Sequence, residues 1–143
     1  MSQSAAYATP EAAEQAFYDA VAHCDADLLM LAWAEDEEIL CVHPTGVRLT
    51  GEIPIRESWL SIFQNARLRI QAEPIAHWQS SVVAVHHLTE TLFVGDDPNP
   101  QGPLHVTHVY MRGPQGWRLV VRHASAADDE HQAMAEAIPH TIH

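Results

Sequence analysis

The chain has 143 residues, of which 47% are hydrophobic and 18% charged, as expected of one globular domain that buries about two-thirds of its unfolded surface. Seven basic residues against 19 acidic ones give a formal charge of −12, and protonating all 11 histidines still leaves the sum negative. With no cationic cluster to displace counterions from phosphates, nucleic acid is excluded as a partner.

No apolar run approaches the length of a membrane span, and the opening MSQSAAYATP lacks the basic-then-apolar pattern of a signal peptide. The expectation is therefore a soluble, cytoplasmic protein with no membrane partner. Cys24 and Cys41 have neither the number nor the spacing of a zinc site or a disulfide framework, which leaves them as reduced thiols.

In chain order, Thr9-Pro10-Glu11 has the form of a helix start: a capping hydroxyl, a proline in the first turn and a carboxylate at the positive end of the dipole. Ala13, Ala16, Phe17, Ala20 and Val21 follow at helical spacing. Asp25 caps a second predicted helix with Leu28, Leu29, Ala32 and Trp33 on its buried side, and the acidic run Glu35 to Glu38 solvates a connection. A short strand over Glu38 to His43 turns at Pro44-Thr45-Gly46. A third helix opens at Thr50-Gly51 with Ile55, Trp59, Ile62 and Phe63 as its apolar stripe.

Long strands are predicted over Leu68 to Gln79, where Pro74 argues for an edge or a bulge, and over Val82 to Val94. The segment Leu104 to Ser125 reads as a hairpin closed by Gly113-Pro114-Gln115-Gly116. Residues 127–143 form a tail, either one more helix or partly disordered, behind a core spanning about residues 10–126 of a single domain. Helices first and a mostly antiparallel, curved sheet last make an α+β layer, with a pocket expected between them.

If Arg112 faces Trp117 across the hairpin, Tyr110 faces Leu119 and His108 faces Val121. Period-2 alternation then gathers His108, Tyr110, Trp117, Val121 and His123 on one face, with His108 and His123 as diagonal neighbours about 7 Å apart at their backbones. Across the preceding strand, His87, Thr89 and Thr91 are assigned to the same face and His86 to the other. His43 at its turn and Trp59 on the third helix complete the lining. Four imidazoles leave three chemistries open: acid–base catalysis, ligand binding, and a metal site built from three of His43, His87, His108 and His123. No ligand spacing encodes the last, so no metal or cofactor is assigned.

Two short helices, then ILCVHPTGVRLTG, then a helix with RESW, then long strands ending in GWRLVVRHAS resemble the cone-shaped fold of nuclear transport factor 2. Its members include ketosteroid isomerase, SnoaL-like polyketide cyclases, scytalone dehydratase and the association domain of calcium/calmodulin-dependent kinase II. The resemblance implies a small-molecule ligand, a homodimer built on the outer sheet face, and an isomerase, dehydratase or cyclase type of activity without a cofactor. The alternative it implies is a non-catalytic ligand-binding or oligomerisation module for a small anion.

Placed on the isomerase pattern, His43 stands where an Asp before proline is the base, and His108 where a protonated Asp donates to the oxyanion. Tyr18 lies within one position of the oxyanion tyrosine, and Phe17 fits the ungapped spacing equally well. The chain departs from the isomerase at both carboxylates, so steroid isomerisation is not implied. In the kinase domain, pocket arginines match His87 and His108, and its W-x5-H-x-S tail matches Trp117, His123 and Ser125. The resulting assignment is His43, His108 and Tyr18 as catalytic groups, with Trp59, His87, Tyr110, Trp117 and His123 binding substrate.

Overall fold

The computed structural model describes residues 7–126. Helix α1 (Pro10–Ala22) begins where the sequence places it, with the Thr9 hydroxyl accepting from the Ala12 amide at 3.0 Å. Helix α2 (Ala26–Met30) is capped in the same way by Asp25, whose carboxylate accepts from the Leu28 amide. This helix is a single short turn, so Ala26 and Leu29 face inward while Leu28, expected to be buried, is 41% exposed. Strands β1 (Leu40–Val42) and β2 (Arg48–Thr50) form a small hairpin ahead of helix α3 (Glu52–Asn65). Strands β3 (Leu68–Gln79), β4 (Val83–Val94), β5 (Gln101–Gly113) and β6 (Gly116–Ala126) then run consecutively.

All six strands form one open, curved sheet in the order β2-β1-β6-β5-β4-β3. Among the described strand pairs, β1 against β6 is parallel and the rest are antiparallel. Pro74 lies on the edge strand β3, where a missing donor is tolerated, and the register slips past Ile75 beside it. The helices cover one face. Phe17, Leu29, Trp33, Ile39, Ile55 and Trp59 fill the interface at 2% exposure or less, each contributing about 1.5–3 kcal/mol by leaving water. The tail from residue 127 onward, predicted as helix or disorder, lies outside the described residues.

The β5–β6 hairpin opens in the predicted register, Arg112 opposite Trp117 and Tyr110 opposite Leu119. Val109 then pairs with Val121, so Val120 is an extra residue on β6, a bulge that shifts everything beyond it by one. His108 consequently faces Arg122 instead of Val121. Arg122 is 3% exposed, and His123 turns to the outer face and is exposed.

On β4 the predicted phase is also reversed. His86 pairs with His108, and Ala84, His86, Leu88 and Glu90 are the buried set. His87, Thr89 and Thr91 point outward. The outward residues Val83 and Val85 are β-branched too, so both faces of this strand read as apolar and alternation could not choose between them.

Candidate functional site

The interior is held by a chain of polar groups that α1, β4, β5 and β6 contribute. Glu14 sits one turn before Tyr18 on the buried side of α1. Its carboxylate oxygen Oε2 is reached by His86 Nδ1 at 2.9 Å, His108 Nδ1 at 3.2 Å and the Tyr110 hydroxyl at 2.8 Å. Burial pushes the Glu14 pKa upward, but the hydrogen bonds from His108, His86 and Tyr110 outweigh it and hold the group at about 2. An ionised carboxylate only accepts, so all three partners must donate.

Proton positions follow from that. Arg122 Nη1 lies 3.0 Å from His108 Nε2, and a guanidinium has no acceptor, so His108 Nε2 accepts and its proton is on Nδ1. His108 is therefore neutral, in agreement with a pKa lowered by complete burial against the raising effect of Glu14. His86 is the opposite case: its hydrogen bond to Glu14 raises its pKa and favours the imidazolium.

Arg122 in turn forms a two-pronged pair with Glu90, Nη1 to Oε2 at 2.7 Å and Nη2 to Oε1 at 2.9 Å. The Tyr18 hydroxyl donates to the same Oε2 at 2.6 Å. The guanidinium lies against the rings of Phe17 and Trp59, with centroids at 5.1 and 5.6 Å. Glu90 is completely buried, and burial would raise its pKa, but Arg122 and Tyr18 lower it below the usual range. The buried positive charge thus has its anion from the chain itself.

Five of the eight residues predicted for the site touch this chain or pack beside it. His108, Tyr110 and Tyr18 are links in it, and Trp59 is one wall. His43 stands next to Trp59, with its Nε2 2.7 Å from the Ser58 hydroxyl and 4.0 Å from Cys41 Sγ. Burial and the nearby Arg122 charge lower the His43 pKa, so it is held neutral.

The other three lie elsewhere. His87 is on the outer face, stacked on His105 with ring centroids 6.0 Å apart, and the bulge sends His123 to that face as well. Trp117 is buried near the hairpin turn, where its amide donates to the Tyr7 carbonyl. With the imidazoles divided between faces, the three-histidine metal site does not assemble. Among the described residues no three His, Cys, Asp or Glu side chains could hold a metal ion.

Glu14, His86, Glu90 and Arg122 were not anticipated. A signal existed for three of them: Glu14 interrupts an apolar helix stripe, and Glu90 and Arg122 are charges in the middle of apolar strands, which stay buried only when paired. The Glu14–His86 end of the chain opens on a cleft of about 250 Å³ between α1, β3 and β4, lined by Glu11, Glu14, His77, His86, Pro74 and Leu88 among others, with the predicted site residue His87 also in its lining.

The helices on one face of an open sheet, with a polar interior between them, define the nuclear transport factor 2-like class of domain. A family model for the SnoaL-like domain matches residues 11–129, and the chain belongs to that family. A Thiobacillus denitrificans protein bearing the name of a calcium/calmodulin-dependent protein kinase type II association domain is similar at 35% identity and TM-score 0.80, over 85% of this chain and 98% of that one. A Streptomyces avermitilis protein named as a dehydratase of the NTF2-like family is 28% identical at TM-score 0.70, over 81% and 91%. A ketosteroid isomerase-like protein from Erwinia carotovora shares the fold at 16% identity and TM-score 0.69, over 82% and 93%. No curated protein matches the chain.

Proposed function

We propose that the domain is a small-molecule-binding module that works as a pair of copies and holds its ligand without transforming it. One observation carries this: each ionised group of the interior is already matched to a fixed partner, Glu90 to Arg122 and Glu14 to His86. A general acid–base catalyst needs a group that takes and returns a proton near working pH. Glu14 at about 2 is too weak a base, and the donors of Tyr18 and His108 are engaged with Glu90 and Glu14.

The association domain from Thiobacillus denitrificans supports the assembly half of the reading. So does the outer sheet face, where Trp78, Val85, Val109, Val121 and Leu40 pair in sequence across five strands as one apolar row. Trp78 is 60% exposed, and such a row is poorly suited to water. Sedimentation of the full chain tests this half, and native mass spectrometry of protein as purified tests the other. A monomer at tens of micromolar would sink the assembly reading, and a failure of every small-molecule library member to raise the melting temperature would sink the binding reading.

One observation favours an acid–base enzyme of isomerase, dehydratase or cyclase type instead. His43 is a half-buried imidazole with its Nε2 2.7 Å from the Ser58 hydroxyl, and burial and Arg122 favour its neutral, proton-accepting form. Exchange of C–H protons of enolisable ketones into heavy water, lost in His43→Ala, would decide for it.

A further inference from the structure

Resting on the reading of the domain as a ligand binder, we infer that the cleft between α1, β3 and β4 takes a small primary amine with an oxygen acceptor beside its ammonium. An amino alcohol or an α-amino amide has that form. Three groups on the cleft wall lack what such a molecule supplies. The first is Glu14 Oε1. All three donors to Glu14 converge on Oε2, and among the described residues Oε1 accepts nothing, yet it is not sealed from solvent. The second is Glu11, whose side chain is 62% exposed. The third is His86 Nε2: the residue is 5% exposed, and this buried nitrogen has no hydrogen-bond partner. Glu11 Oε2 stands 3.5 Å away, an ion-pair distance that still leaves this nitrogen without a hydrogen bond.

Even with His86 protonated, the carboxylates of Glu11 and Glu14 around it leave that wall one net negative charge. A monocation cancels it, with its ammonium between Glu14 Oε1 and Glu11 and its oxygen accepting from His86 Nε2. An anion would satisfy His86 only by standing next to two carboxylates. Its natural seat in the interior, the Arg122 guanidinium, is occupied by Glu90. A neutral molecule leaves the charge uncompensated. Pro74, Ala76 and Leu88 provide an apolar wall for a short side chain, and about 250 Å³ admits a ligand smaller than a typical drug. The overall charge of −12 steers cations toward the protein.

The test titrates the full chain at neutral pH with leucinamide, isoamylamine, 4-methylpentanamide and 4-methylpentanoate, following the ring-proton signals of His86 and His77. Leucinamide is expected to bind, more weakly as salt rises, and to move the His86 signals. Isoamylamine, lacking the acceptor, should bind about fivefold more weakly, and the neutral amide and the acid should not bind detectably. Glu11→Gln, on an exposed side chain that does not endanger folding, should weaken leucinamide by about two- to fivefold. Amine binding that leaves His86 unmoved or ignores Glu11→Gln overturns the site. Binding of the acid or neutral amide in preference to the amines overturns the ligand class but leaves the binding reading standing. Silence from all four probes counts against both.

Discussion

Replacing Glu90 by Gln keeps the shape of the side chain and removes its charge. Glu90 is fully buried and Arg122 is 3% exposed, so water cannot take the place of the lost partner. The carboxylate accepts from Arg122 Nη1, Arg122 Nη2 and the Tyr18 hydroxyl, using both oxygens. A carboxamide has one oxygen, and in either orientation its NH2 faces at least one of those donors. The variant therefore carries an uncompensated buried guanidinium and a frustrated hydrogen bond. Breaking a buried pair on one side costs about 3–5 kcal/mol, out of a total of about 5–15 kcal/mol for a domain. The melting temperature should fall by about 6–20 °C at the 2–4 °C per kcal/mol expected of a chain this long.

Urea unfolding followed by tryptophan fluorescence and far-ultraviolet circular dichroism measures the loss. The companion variants are Glu90→Met, Arg122→Met and the double replacement of both by Met. Removing both charges leaves neither partner of this pair unmatched, although the Tyr18 hydroxyl and His108 Nε2 lose a partner at about 1–3 kcal/mol each. The double variant should thus be no less stable than either single one, giving a coupling of about 3 kcal/mol. Additive single effects, or a Glu90→Gln protein within about 1 kcal/mol of wild type, would refute a buried Glu90–Arg122 pair sealed from water.

Stability should decline as pH falls, by steps whose sign follows from each group. Glu14 at about 2, and Glu90, also lowered, stabilise fully above the usual carboxylate range of about 4.3, and that contribution is lost as pH falls toward 2. His43 and His108, both lowered, stabilise above about 6.5 and lose that contribution below it. His86, raised, opposes them, with its contribution intact below about 6.5 and fading above it. Thermal melts at pH 7, 5 and 3 should show a gentle and then a steep decline, and a flat profile would contradict the assignment. Gly116→Ala should destabilise by more than about 1 kcal/mol in urea unfolding, because the glycine has φ 88° and an added Cβ would collide with the Tyr7 carbonyl. Val109→Glu, in the middle of the outer apolar row, should leave the circular dichroism unchanged and halve the sedimenting mass. An unchanged mass would remove that face from consideration as the pairing surface.

The helix starts were legible because their signals are local: Thr9 and Asp25 each cap the helix that follows, and Pro74 marks the edge strand. The hairpin was legible as far as Tyr110 opposite Leu119, because the turn sets the register over its first pairs. Beyond that the faces were lost to the extra residue Val120, which no composition rule announces. Alternation places His108 in the interior but opposes it to Val121, with His123 as its diagonal neighbour, whereas the bulge sets Arg122 opposite it. His86 and His87 are adjacent on a strand apolar on both sides, so choosing between them required the pairing to β5. Glu14 was passed over because a carboxylate on a helix is usually solvated, and its burial depends on donors more than 70 positions away in the chain.

The bulge at Val120 acts on β6 much as an inserted base acts on a coding sequence: upstream and downstream are each regular but in different frames. Deleting Val120 would leave Arg122 opposite His108, whereas drawing Val120 into the ladder opposite Val109, with every residue kept, would oppose His108 to Val121, rotate Arg122 outward and bring His123 to the inner face. The pocket's charge would be rewritten without a single polar residue being mutated. Among relatives of this fold, changes of register in the last strand deserve as much scrutiny as substitutions, because they decide which half of its side chains the interior sees.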